Sequence, residues 1–120
     1  MLMRTLLAVF TVLLSAAGPA DAHAFLDHAS PRVGNAVRTA PHEVTLWFTQ
    51  DLEPAFSTVE VRDPAGERVD SGKPIVGGAD RKVMRIALKP LPPGTYKVSW
   101  RVLSVDTHTT EGTFTFRVGE

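Results

Sequence analysis

The chain of 120 residues contains no cysteine. That excludes a disulfide frame, a thiolate nucleophile and a cysteine-ligated zinc site. Any bound metal would be held by nitrogen and oxygen donors, or by methionine sulfur. Charge of either sign is not in excess: 13 Lys and Arg face 13 Asp and Glu. Such a balance argues against an electrostatic role on nucleic acid or on a membrane surface. Long apolar runs are missing too. Leu6 to Ala17, "LLAVFTVLLSAA", covers 12 residues, whereas a membrane span needs about 20. Past residue 22 there is one methionine, Met84, and no window with a helical period. A thioether-rich Cu(I) site therefore has no material. No internal repeat, linker or low-complexity tail is evident.

What is present begins with a three-part leader. Arg4 precedes the apolar run, Gly18-Pro19 breaks it, and Ala20-Asp21-Ala22 forms an A-x-A cleavage site. This is the layout of a secretory signal, so residues 1–22 are expected to be removed in transit out of the cytoplasm. Residues 23–120 remain as one small domain of 98 residues. Loss of Arg4 and Asp21 leaves 12 basic and 12 acidic residues.

The mature chain reads as all-β. Val44, Leu46 and Phe48 alternate with Thr45, Trp47 and Thr49. Val59 and Val61 alternate with Thr58, Glu60 and Arg62, before the turn Asp63-Pro64-Ala65-Gly66. Met84, Ile86 and Leu88 share one face, as do Tyr96, Val98, Trp100 and Val102, and then Phe114, Phe116 and Val118. These are period-2 runs rich in β-branched and aromatic residues. Five clear strands, with one or two more near Ala24–Leu26 and Arg68–Val69, predict a small sandwich. The glycine-rich stretch "SGKPIVGGADR", residues 71–81, reads as a long loop.

Four histidines are the natural ligands to weigh: His23, His28, His42 and His108. Asp106 and His108 flank Thr107. On extended backbone, residues two apart project to the same side, so a carboxylate and an imidazole could share one ion. Taken alone, the triplet fits a solvated turn between two strands at least as well. His23 shifts the balance, because cleavage after Ala22 would make it the first residue. Its free amine and its Nδ1 could then close a chelate ring on one ion. With Asp106 and His108 the set becomes three nitrogens and one oxygen, donors that suit tetragonal Cu(II). The amine must lose its proton to bind, so binding would weaken at acid pH. His28, five residues from His23, falls on the opposite strand face, and His42 reads as surface. Trp47, Trp100 and Met84 read as packing residues.

These residues resemble a known family. "HAFLDHASPRVGNAV" at the mature start, "VTLWFTQDLE", and "PLPPGTYKVSWRVLSVDTHTTEGTFTFRV" look like the CopC family of periplasmic copper-binding proteins. The resemblance runs through the mature chain in order. It implies a Greek-key β-sandwich of cupredoxin or immunoglobulin-like shape. It implies one Cu(II) per chain, held by His23 through amine and imidazole, with Asp106 and His108. In some members a glutamate in the strand matching "WFTQDL" approaches the copper; here that position is Gln50, a poorer ligand suited to hydrogen bonding around the site. Some members carry a methionine-rich Cu(I) loop; the matching residues 63–81 have no methionine, so a Cu(II)-only protein is expected. The implied job is copper storage, delivery or resistance in the periplasm or another extracytoplasmic space. The implied chain is a non-enzymatic monomer, which works alongside a CopD-type inner-membrane copper importer. Two other readings stay open. An N-terminal histidine brace also serves copper oxygenases that cut polysaccharides, and an immunoglobulin-like interaction module needs no metal.

Overall fold

The computed structural model describes residues 23–119, so the expected signal, residues 1–22, lies outside the described residues. Eight strands follow: β1 (Leu26–Ser30), β2 (Ala36–Val37), β3 (Glu43–Phe48), β4 (Thr58–Arg62), β5 (Asp70–Val76), β6 (Val83–Leu88), β7 (Gly94–Leu103) and β8 (Thr109–Val118). A single 3-10 turn, Pro54–Phe56, interrupts them. The strands form two four-stranded sheets, ordered β1-β3-β6-β5 and β2-β8-β7-β4. The fold is the all-β sandwich that the alternation predicts. Early strands cross from one sheet to the other, as in a Greek key, and two antiparallel pairs, β5–β6 and β7–β8, close the chain.

The alternating residues are the core. Val44, Leu46, Phe48, Val59, Val61, Met84, Ile86, Leu88, Tyr96, Val98, Trp100, Val102, Phe114, Phe116 and Val118 are all buried. With a side-chain period of two, each strand gives one row to the space between the sheets and one to water. Trp47 is half-buried on the outer face of its sheet, with the His28 ring stacked on it at 4.3 Å. Gly112 opposes Trp100 across β7 and β8, and the indole lies over it. A Cβ at residue 112 would come within 2.6 Å of Trp100 Cζ2.

The stretch read as a loop is a correction. Residues 70–76 form β5, an edge strand, and only 77–82 connect it to β6. The pairing slips between Ser71 and Ile75, where Gly72 adopts φ +77° and Pro74 donates no hydrogen bond. A bulge with glycine and proline on an edge strand erases the period-2 signal while the strand persists. The strand expected near Ala24–Leu26 starts instead at Leu26, and the one expected near Arg68–Val69 is β5 itself. Short β2, which pairs parallel with β8, has no visible pattern.

The outer strands β4 and β5 are joined by a buried carboxylate. Asp70 accepts the Val61 backbone N–H at 2.8 Å and two guanidinium hydrogen bonds from Arg68, at 2.7 and 3.1 Å. Its side chain is 4% exposed. Burial works to raise its pKa; the Arg68 and Val61 hydrogen bonds and the Arg68 charge outweigh that and hold it below the ordinary carboxylate value.

Candidate metal centre

The β7–β8 connection builds half of the site. Thr107 N–H donates to Ser104 C=O at 2.9 Å, closing a tight turn over 104–107. Ser104 N–H then donates to His108 C=O at 3.0 Å. Thr107 sits between them at φ +73°, in the left-handed region. A turn followed by one left-handed residue is the common three-residue hairpin loop, and glycine usually takes that place. Here a β-branched residue bears the strain, directly between the two candidate ligands.

Asp106 and His108 do meet: His108 Nδ1 lies 3.4 Å from Asp106 Oδ2. The route differs from the expectation. The backbone between them is a left-handed turn rather than an extended strand, and the turn folds the two side chains together. Ser104 organises the carboxylate. Its side chain is fully buried, and its hydroxyl donates to Asp106 Oδ1 while accepting from His108 N–H at 3.4 Å. The hydroxyl also lies 3.1 Å from His108 C=O. It has one proton, and the charged oxygen is the stronger acceptor. The Ser104 hydrogen bond lowers the Asp106 pKa; desolvation opposes this, and His108 adds to it through hydrogen bonding and charge. Asp106 Oδ2 is shielded from water, and the long 3.4 Å approach of His108 Nδ1 is the contact it makes in place of a close hydrogen bond. A shielded carboxylate oxygen with only a long contact keeps lone pairs that a cation could use.

The other half comes from the start of the domain. The rings of His23 and His108, 85 residues apart in sequence, lie 4.5 Å apart between centroids and are tilted by 51°. Phe25 flanks His23 at 6.0 Å. All three sequence candidates, His23, Asp106 and His108, thus gather at one end of the sandwich. Among the described residues, no three His, Cys, Asp or Glu side chains stand close enough to hold an ion as they are placed. In the full 120-residue chain the His23 backbone nitrogen is a peptide nitrogen, so the amine donor of the expected set is not among its groups.

The remaining candidates lie elsewhere. His28 is exposed, stacked on Trp47, with Nδ1 at 2.6 Å from Asp27 Oδ2. His42 is exposed at the entry to β3. Gln50 is half-buried between Thr49 and Asp51, whose C=O accepts Val105 N–H at 3.1 Å. That places its backbone beside the 104–108 loop. Met84 is fully buried. Sequence reading missed Ser104, although a serine two residues before an aspartate is a recurrent local hydrogen-bonding pattern. It also missed Thr49 and Thr110, which look like ordinary outward strand residues.

Comparison with known proteins fits this picture. A family model described as the CopC domain matches residues 26–119. The chain is 38% identical over 98 residues to Protein YobA of Escherichia coli strain K12, covering 81% of this chain and 79% of that one. The solved structure of CopC from Methylosinus trichosporium OB3b superposes with a TM-score of 0.75 at 33% identity, covering 80% of this chain and 93% of that one. That of PcoC, described as a methionine-rich copper resistance protein from Escherichia coli, gives 0.70 at 36% identity, covering 81% and 99%. With two solved relatives above 30% identity and a family match over nearly all the described residues, the chain belongs to the CopC family.

Proposed function

We propose that this protein binds one Cu(II) outside the cytoplasm, once its leader is removed, for copper storage, delivery or resistance. The ligands are the His23 amine and imidazole, the Asp106 carboxylate and the His108 imidazole. One observation carries the reading: the His23 and His108 rings lie 4.5 Å apart, and His108 Nδ1 stands 3.4 Å from a water-shielded oxygen of Asp106. The donors are nitrogen and oxygen throughout, the set that Cu(II) takes in tetragonal geometry. Ser104 holds Asp106 by one oxygen and leaves the other for the ion. The copper resistance named for the PcoC relative agrees with this job.

Copper is cargo in this reading, and the protein is a monomeric carrier without catalytic turnover. A CopD-type inner-membrane importer is its exchange partner. The test is a Cu(II) titration of the chain starting at His23, beside the same chain with His108→Ala. One tight equivalent, lost in the variant, is expected. Unchanged affinity in the variant overturns the ligand set. Reproducible cleavage of a model polysaccharide by the copper-loaded chain with reductant overturns the carrier assignment.

A further inference from the structure

We infer that Thr49 and Thr110 are positioning residues, which hold the first three residues of the mature chain in register with the 104–108 loop. The inference rests on the copper reading above. Thr49 immediately follows β3. Its N–H donates to Phe25 C=O at 2.9 Å, and its hydroxyl accepts Phe25 N–H at 2.9 Å and donates to His23 C=O at 3.3 Å. Thr110, the second residue of β8, donates its hydroxyl to Ala24 C=O at 2.5 Å. The carbonyls of residues 23, 24 and 25 are therefore each taken by a threonine donor.

The two threonines are carried by strands of opposite sheets, Thr110 within β8 and Thr49 directly after the end of β3. β3 lies in one and β8 in the other, so the tripeptide is stitched across the open end of the sandwich. Ala24 is fully buried between these attachments, which stops the segment from rolling. Thr110 stands two residues beyond His108. Fixing Ala24 to Thr110 therefore sets His23 over His108, and a displacement of the segment by one residue would separate the two rings.

The physical need is clear. A chain end is normally frayed, and ordering it on metal binding costs conformational entropy that subtracts from affinity. A tripeptide already bonded through its backbone avoids that cost, which is the general benefit of preorganisation. The attachments involve backbone atoms of residues 23–25, so they serve whichever residue precedes His23. The imidazole half of the site is in this way assembled before the leader is cut, and cleavage adds only the amine.

The experiment uses the chain starting at His23, with Thr49→Val, Thr110→Val and the hydroxyl-retaining Thr49→Ser and Thr110→Ser. Amide hydrogen exchange on the metal-free chain reads the clamp directly; Phe25 N–H should be protected in the wild type and lose protection in Thr49→Val. Competition against a chromophoric Cu(II) chelator should show Thr110→Val, which loses one hydrogen bond, weaker by about tenfold, and Thr49→Val, which loses two, weaker by at least that much. Each serine variant should stay within about twofold of the wild type. Val61→Ala, a core change far from the clamp, controls for stability and should leave affinity unchanged. Valine variants that bind as tightly as the wild type overturn the positioning role while the copper reading stands. A wild-type chain with Phe25 N–H protected but no tight copper defeats the copper reading, and the positioning role falls with it.

Discussion

Replacing Asp70 with asparagine should unlock the seam between β4 and β5. The carboxylate accepts Val61 N–H and two donors of Arg68, and its side chain is 4% exposed. Asparagine has one accepting oxygen and turns an amide donor toward other donors. Leaving one buried donor unsatisfied costs about 1–3 kcal/mol. The Arg68 side chain is 50% exposed, so water compensates it and its lost pairing adds no more than about 1 kcal/mol. The expected total is roughly 1–4 kcal/mol, centred near 2. With a urea slope of about 1 kcal/mol per molar, the unfolding midpoint falls by about 2 M. The pH dependence has a definite sign. The native Asp70 pKa is lowered, so the folded chain binds that proton less readily than the unfolded one. Its stabilisation is complete above the unfolded carboxylate value of about 3.9 and drains away as pH falls through the native value. Urea unfolding of wild type and Asp70→Asn between pH 7 and pH 2 should show a constant gap down to about pH 5, narrowing below pH 4. A gap that persists at pH 2, or no gap at pH 7, refutes the reasoning.

Further outcomes follow from the site. Gly112→Ala puts a methyl group 2.6 Å from Trp100 Cζ2 and should cost about 1–3 kcal/mol in thermal unfolding, with an altered near-UV signal from the indole. Thr107→Gly relieves a left-handed β-branched residue at about 1–2 kcal/mol. Glycine's entropy returns about 0.5–1 of that, so melting should rise slightly. Ser104→Ala frees the Asp106 carboxylate, and its Cu(II) affinity in a chelator competition should fall by about 10–100-fold.

The fold was legible where the alternation is clean. Val59 with Val61, or Phe114 with Phe116, have their partners at spacing two, and packing between sheets leaves no other arrangement. β5 was hidden because Gly72 and Pro74 interrupt its period at a bulge on an edge strand, where no neighbour demands a regular ladder. The candidate ligands were legible in residue types, a histidine after an A-x-A and an aspartate and histidine two apart, and the structure brings the His23 ring to His108 and His108 to Asp106. Their support was not legible. Ser104, Thr49 and Thr110 act through single hydroxyls on backbone or carboxylate oxygens, and hydroxyl residues fill the outward rows of any β-sheet. The left-handed Thr107 was equally silent, since a β-branched residue advertises a strand and not a turn.

The most direct test compares two purified forms, one starting at His23 and one carrying a single extra methionine before it. Each is titrated with Cu(II) and followed by electron paramagnetic resonance. A tight, nitrogen-rich site is expected in the first form, destroyed or replaced by a weaker one in the second, because the amine has moved off the chelate. Equal affinity and identical spectra in the two forms would contradict this, for then the terminal amine is no ligand and leader removal builds nothing.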